Sequence, residues 1–567
     1  MNKKKNLTTK ETFALAVQNH QKNNLQVAEN LYKKILKTNP NHASAHNNLG
    51  LIFHAYKDFQ KARSYYQKAI QFQPDYADAH NNLGNVQKDL GEHQKAISCY
   101  EKAIQIEPDN LTSHWLSMNT FPVIYKNLKE IDHYRKRFGN GIKKINQLLD
   151  TKSQYTKKQI IDAMNSSTNF YLHYQGRDVL ELQQHYAHLI ERLTQKIYQE
   201  FHKEIKIKKS IAFIKIGFIS SYFRNHSVSK MYKNLIQKLD QKFFKRFVYY
   251  AGNKFDHITN EIKQHADHFF NHTDVDQLIN QISKDNLDVL IYLDIGMSPR
   301  IQILSSLRLA PIQCNTWGHP VTSGFKNIDY YFSSELMESQ NSQKHYSEKL
   351  ISLPGIGINY DSPNLSTIKK PNILNKSNAT IFLNLQSLFK LLPQDDHVFL
   401  DIQQKEPNCQ FWFFEAKSEL ITSIFKSRVS KLSRDYGISF NKYFHFHPRC
   451  KYNEYLRVIE ASDIILDCLN FSGFNTAMEA ISLNKPIVTL SGLFMRTRFA
   501  YSILKKINIK ETIASTKEKY VQIAVKLAKD NDFRNSIINK IVKNKNKLFN
   551  DDKPIRFLEE VIRKKLL

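Results

Sequence analysis

Apolar positions along the 567-residue chain follow two different periods, and the change falls near residue 211. Over the first part they recur on helical faces, and the whole pattern returns every 34 residues. Tyr32, Tyr66 and Tyr100 keep that interval. So do Ala45, Ala79 and Ser113, then His46, His80 and His114, then Pro40, Pro74 and Pro108. Leu49 and Gly50 return as Leu83 and Gly84. Tyr66 with Ala69, and Tyr100 with Ala103, lie three apart on one buried stripe. Each proline closes a unit because it cannot continue a helix, and each glycine lets two helices approach. A weaker unit over residues 9–40 brings the count to about three, the minimum for a stable stack. Residues 113–209 remain helical in period, rich in charge and poor in glycine.

Beyond residue 211, short apolar runs alternate with helical segments. Strands are predicted at 215–220, 246–252, 288–294, 312–317, 330–334 and 349–354. A second series is predicted at 380–385, 410–415, 443–447, 463–468 and 486–490. Residues 359–379, polar and rich in Pro, Ser and Asn, separate the two. Buried strands alternating with helices imply parallel sheets and right-handed crossovers. The predicted fold class is therefore α + α/β: an N-terminal α-solenoid, then two Rossmann-like domains facing each other across a cleft, the GT-B arrangement. The 34-residue period, with A-x-x-N-L-G opening one helix and A-x-x-x-Y-x-K-A-I the next, matches the tetratricopeptide (TPR) repeat. The domain reading is 1–118 for the repeats, 119–210 for a helical connector, 211–358 for the first lobe and 376–567 for the second with closing C-terminal helices. Asn48 and Asn82 recur at one helical position, so they align along one face. They either bind the backbone of an extended acceptor in the groove or simply solvate that face.

Composition narrows the class. Lys and Arg number 82 against 53 Asp and Glu, a net charge of +29, which favours anionic partners without choosing among them. No interleaving of basic and aromatic residues in a known module points to nucleic acid, so none is expected as a partner. Five cysteines without a CxxC pair suggest neither a disulfide framework nor a zinc cluster, and fit a reducing compartment. No apolar run of about 18 residues exists, so no membrane span is expected. Without an apolar stretch following the basic start, the expected location is cytoplasmic, with signal-less export left open.

Four clusters can carry chemistry. In residues 215–229 a strand ends near Ser220, and His226 follows where a histidine can do acid–base work or hold an acceptor. In residues 308–329 a turn at Pro320, Thr322, Ser323 and Gly324 presents hydroxyls suited to a sugar or phosphate. In residues 384–390, Gln386 and Lys390 are one helical turn apart directly after a strand. A lysine added to a helix N-terminus there can hold a diphosphate. In residues 467–480, Ser472, Gly473, Asn475 and Thr476 form a strand-to-helix turn that can wrap phosphates, and Glu479 can accept ribose hydroxyls. Arg498 follows the next strand and can support that turn. Taken singly, each cluster is compatible with an ordinary polar loop.

Together they are far more specific. From residue 215 onward the text GFISSYFRNHSVS, LRLAPIQCNTWGHPVTSG, HYSEKL, LQSLFK and SGFNTAMEA with PIVTLSG resembles the family-41 glycosyltransferases. TPR repeats ahead of a GT-B catalytic region are a hallmark of the O-linked N-acetylglucosamine (O-GlcNAc) transferases of that family, and the wording is closest to bacterial members. The resemblance implies an inverting protein glycosyltransferase that moves a sugar, most simply N-acetylglucosamine, from a UDP-sugar to Ser or Thr of a protein held partly by the TPR groove. It implies no metal and no further cofactor. His226 matches the active-site histidine and Lys390 the lysine that neutralises the leaving diphosphate. Gln386 and Ser387 share the motif of Lys390. Asn475 and Thr476 match the phosphate-contacting turn, of which Ser472 and Gly473 are part, Glu479 the ribose-binding carboxylate, and Thr322 and Ser323 the turn lining the sugar pocket. Asp285 and Asp294 are fallback bases. Departures are Tyr455 where animal members carry a histidine near the uracil, Phe474 and Asn475 where they carry histidine and threonine, and Tyr222 in place of an acid. Plain glucose is therefore a second donor. Alternatives are an N-glucosyltransferase acting on Asn, and a TPR adaptor with an inactive transferase domain.

Overall fold

The computed structural model describes residues 7–151, 154–207, 213–363, 365 and 379–566. It divides into two units: residues 1–122 with 136–167, and residues 123–135 with 168–567. Residues 119–210 are shared between them.

The first unit is a stack of helix pairs: α1 (Thr9–Gln21) with α2 (Leu25–Thr38), α3 (Ala43–Ala55) with α4 (Phe59–Phe72), and α5 (Ala77–Asp89) with α6 (His93–Ile106). The repeated residues explain the stack. Tyr32, Tyr66 and Tyr100 are fully buried, and so are Ala45, Ala79 and Ser113. A methyl group on Gly50 would lie 2.5 Å from the Tyr66 ring, and one on Gly84 2.5 Å from the Tyr100 ring, so only glycine admits the tyrosine of the next helix. The recurring histidines acquire a role that the interval alone did not suggest. His46, His80 and His114 bond through Nε2 to the carbonyls of Pro40, Pro74 and Pro108 at 2.8, 3.0 and 2.9 Å. Each proline that ends a unit leaves a carbonyl, and the histidine of the next unit satisfies it. Asn48 and Asn82 are half-buried rather than free. Asn48 Nδ2 donates to the Tyr32 hydroxyl (3.1 Å), and Asn82 Nδ2 donates to Asn47 Oδ1 (3.0 Å).

The second unit holds two parallel sheets. The first contains β1 (Ile214–Ser220), β2 (Phe244–Tyr250), β3 (His268–Asn271), β4 (Val289–Tyr292), β5 (Ile312–Thr316), β6 (Tyr330–Ser334) and β7 (Lys349–Leu353), in the order β3-β2-β1-β4-β5-β6-β7. The second contains β8 (Thr380–Leu383), β9 (Cys409–Phe414), β10 (Phe444–His447), β11 (Ile464–Leu466), β12 (Ile487–Leu490) and β13 (Ile513–Ala514), in the order β10-β9-β8-β11-β12-β13. Both are doubly wound, and each reverses direction beside its first strand, between β1 and β4 and between β8 and β11. The run of predicted strands is present. The two strands it lacked, β3 and β13, are short and lie at sheet edges, where no continuous apolar run is needed.

Trp317, just past β5, packs against Phe474 and Phe499 of the second lobe, with ring centroids 5.0 and 5.6 Å away. Helix Lys553–Leu566, at the end of the chain, returns to the first lobe: Glu559 accepts from the Asp240 N–H (2.8 Å), and Arg556 donates to the Lys238 carbonyl (2.6 Å). No described helix is long and apolar enough to cross a membrane.

Candidate active site

A cavity of about 620 Å³ opens at the carboxyl ends of β8, β9 and β10, where Rossmann-like sheets place ligands. Its walls include Gln386 and Ser387 after β8, Phe414 and Lys417 around the end of β9, Arg449 and Cys450 after β10, and Asn475, Thr476 and Glu479 on helix Asn475–Ser482. Ser227 and Lys230 close it from the first lobe.

Two of the predicted motifs meet here. Lys390 Nζ donates to Gln386 Oε1 (2.8 Å), and Gln386 Nε2 donates to Thr476 Oγ1 (2.6 Å). Asn384 Nδ2 ties the same loop to the Leu466 carbonyl at the end of β11 (2.9 Å). The Lys390 ammonium lies 4.5 Å from the centroid of the Phe471 ring. Burial pushes its pKa down to about 8, against the pull of Cys468 and Asp467. It therefore stays charged at neutral pH while poorly hydrated, which suits a cation that must neutralise a buried anion. Lys390 does not lie on the first turn of an α-helix as predicted. It ends a single 3₁₀ turn, Leu388–Lys390, and the chain then meets Pro393, which discourages helix in the residue before it. The helix N-terminus at the cavity is that of Asn475–Ser482. No side chain caps it, and Met478 is the first N–H there to reach a carbonyl, that of Phe474 (3.0 Å). The N–H groups of its first turn are thus left at the cavity edge.

The turn before that helix divides its labour differently from the prediction. Ser472 and Gly473 are spent on structure. Asp467 accepts from the Ser472 hydroxyl (2.6 Å), the Gly473 N–H (3.1 Å) and the Thr489 hydroxyl (2.8 Å). The Ser472 N–H goes to the Arg496 carbonyl (2.8 Å). Only Asn475 and Thr476 of the four line the cavity, and Asn475 Oδ1 accepts from Tyr360 (2.8 Å). Gly473 is required by space: a Cβ there would fall 1.8 Å from Gln386 Nε2. Arg498 does not support this turn. It clamps the next one, donating to Ser491 Oγ (2.9 Å) and the Gly492 carbonyl (3.1 Å). Phe474 is buried in the packing between lobes.

Glu479 is buried one turn into the helix and accepts from Tyr452 (3.1 Å), Tyr455 (3.1 Å) and Lys230 (3.4 Å). Tyr455 packs against Phe414 (5.3 Å between centroids), giving an aromatic wall on which a flat base can stack. Tyr452, Lys230 and Asp467 were not singled out from the sequence. A tyrosine and a lysine on helix surfaces, and an aspartate that closes a strand, carry no distinctive spacing.

His226 caps helix Ser227–Lys238. Its Nδ1 accepts from the Val228 N–H (3.2 Å), and its ring stacks on Tyr222 at 4.3 Å. Burial, with Arg224 nearby, pushes its pKa down to about 4. The neutral ring with Nδ1 as acceptor carries its proton on Nε2. It is a hydrogen-bond donor in this arrangement.

Three predicted residues lie elsewhere. Thr322 and Ser323 are buried and hold Glu348, through the Thr322 hydroxyl (2.7 Å) and the Ser323 N–H (2.7 Å). That contact explains why the TSG turn and HYSEKL occur together, but it does not bring the turn into the cavity. Asp285 sits at the amino-terminal end of the strands of the first sheet, away from the cavity, where its carbonyl meets Lys215 at the start of β1 and its carboxylate accepts from Tyr249 (2.7 Å). Asp294 does lie at the carboxyl end of β4. It is fully buried, accepts from the Ser221 N–H (3.3 Å), and burial pushes its pKa up to about 7.

Residues 43–76 and 77–110 match the tetratricopeptide repeat, and residues 138–361 and 357–555 match glycosyl transferase family 41. The chain is 24% identical over 344 residues to the probable UDP-N-acetylglucosamine–peptide N-acetylglucosaminyltransferase SPINDLY of Petunia hybrida, covering 59% of this chain and 36% of that one. It is 26% identical over 282 residues to the UDP-glucose:protein N-beta-glucosyltransferase of Actinobacillus pleuropneumoniae, covering 49% and 44%. These matches span less than half the length of either relative. The fold resembles that of a mutant of Thermobaculum terrenum O-GlcNAc transferase, with a TM-score of 0.68 at 18% identity over 100% of this chain and 98% of that one. Matched along two stretches that together take in well over half of its residues, the chain belongs to glycosyl transferase family 41.

Proposed function

We propose that this protein transfers a sugar from a UDP-sugar to a protein side chain, and that the cavity beside β8 and β11 is the donor site. The observation that carries this reading is the chain of contacts from Lys390 through Gln386 to Thr476, which puts a desolvated cation beside an uncapped helix N-terminus. A diphosphate there meets a positive charge and free N–H groups at once. Tyr455 and Phe414 stack the base, and Glu479 accepts from the ribose. The acceptor is Ser or Thr; the sugar is N-acetylglucosamine, in keeping with the Petunia relative's name. In one inverting displacement the acceptor oxygen bonds to the anomeric carbon, the bond to the UDP oxygen breaks, and the acceptor's hydroxyl proton passes to an oxygen of the departing diphosphate. Negative charge grows on the diphosphate, where Lys390 and the first turn of helix Asn475–Ser482 oppose it. His226, a donor through Nε2, orients the reacting groups. The repeat array holds the protein acceptor away from the chemistry. No metal or further cofactor is required, because protein donors supply the charge.

A second reading is transfer of glucose to Asn; the Actinobacillus relative's name supports glucose as the sugar and a protein nitrogen as the acceptor atom. Incubation with a panel of UDP-sugars and a cell lysate, followed by mass spectrometry of the modified residue, separates the two. No transfer from any UDP-sugar, with no binding of UDP by calorimetry, overturns both. Lys390→Ala is expected to lower turnover by about two to three orders of magnitude; near-normal transfer by that variant removes Lys390 from the chemistry.

A further inference from the structure

Glu479 is reached by one side chain from the opposite lobe, and no step above uses it. Lys230 projects from helix Ser227–Lys238 and places Nζ 3.4 Å from Glu479 Oε1 and 5.1 Å from the centroid of the Tyr452 ring. A buried carboxylate must have its oxygens satisfied and its charge compensated. Oε1 accepts from Tyr452 and Lys230, and Oε2 from Tyr455 alone. The two oxygens offer about four acceptor positions, so one remains on Oε2. Of the three donors only Lys230 carries a charge. Without it, the Glu479 carboxylate would face an incoming diphosphate negative to negative. Lys230, Tyr452 and Glu479 also line both the large cavity and a neighbouring one of about 360 Å³.

We propose that Lys230 is a positioning residue of the nucleotide site: from the first lobe it turns Glu479 so that the open position on Oε2 meets a ribose hydroxyl, and it offsets the charge that would otherwise repel the diphosphate. This rests on reading the cavity as the UDP-sugar site. Lys230 is half-buried and can be replaced without opening the core.

The test is a calorimetric titration of the full chain with UDP and with its analogue lacking both ribose hydroxyls. The wild-type protein is expected to prefer UDP by about tenfold or more, as a site built to bond a hydroxyl does. Lys230→Met should weaken UDP about tenfold and shrink the preference to within about twofold. Lys230→Gln should behave like Lys230→Met, and Lys230→Arg should retain the preference. A residue that merely supports the fold would weaken both ligands alike and leave their ratio unchanged, and that result overturns the role of Lys230. Failure of the wild-type protein to bind UDP at all overturns the donor-site reading and the role of Lys230 with it.

Discussion

Gly473→Ala tests the site at its tightest point. The added methyl would fall 1.8 Å from Gln386 Nε2 and 2.1 Å from Thr476 Oγ1, the two atoms that bond each other at 2.6 Å. To reach ordinary van der Waals separation the Gln386 amide must retreat by roughly 1.5 Å. It can do so, because it is the free end of a flexible side chain, but the bond to Thr476 is then lost and the partner of Lys390 moves with it. The folding cost is that of one hydrogen bond and slight overpacking, about 1–2 kcal/mol. The cost in the site is larger, since a displacement of about 1 Å in positioned groups can lower activity about 100-fold. Thermal unfolding followed by circular dichroism is therefore expected to show a small shift, while UDP affinity and sugar transfer both fall by about one to two orders of magnitude. A Gly473→Ala protein that binds UDP and transfers sugar like the wild type would refute the claim that the Lys390–Gln386–Thr476 chain shapes the donor site.

Three further outcomes follow from the same geometry. Burial pushes Lys390 down to about 8, and the proposed role needs its charged form at the diphosphate, so UDP affinity should hold below that pH and decline as pH rises through it; calorimetry between pH 7 and 9.5 checks this, and a flat profile contradicts it. His226→Asn keeps a side chain that can cap helix Ser227–Lys238 but lacks the Nε2 donor, so it should fold like the wild type while losing about tenfold or more in transfer; His226→Ala should in addition lose about 1 kcal/mol of stability in denaturant titration. Gly84→Ala drives a methyl into the Tyr100 ring within the repeat stack and should cost about 1–3 kcal/mol of its stability, while UDP binding stays unchanged; unaltered unfolding of the repeats would contradict the packing account.

Much of the architecture is legible in the chain because it rests on periodicity. A buried tyrosine opposite a glycine every 34 residues needs no distant partner to be recognised, and apolar runs of strand length between helical segments imply parallel sheets. The motifs around Gln386, Lys390, Thr476 and Glu479 were legible for a similar reason: each follows directly on a strand, and the ends of strands are where such folds bind ligands. The short edge strands β3 and β13, four and two residues long, left no comparable pattern.

What the linear order determined was which segments carry chemistry; which atoms of those segments are free to use it was decided only by folding. Ser472, Gly473, Thr322 and Ser323 carry the right groups at the right places in their motifs, yet buried Asp467 and Glu348 consume those groups; Asp467 lies just past β11, and Glu348, just ahead of β7, is far along the chain from Thr322. Lys230 and Glu479 are 249 residues apart, and only the closing of one lobe on the other makes them a pair. A hydrogen-bonding group in a buried site has room for few partners, so tertiary packing, by allotting those partners, decides whether a polar residue binds a ligand or holds the fold.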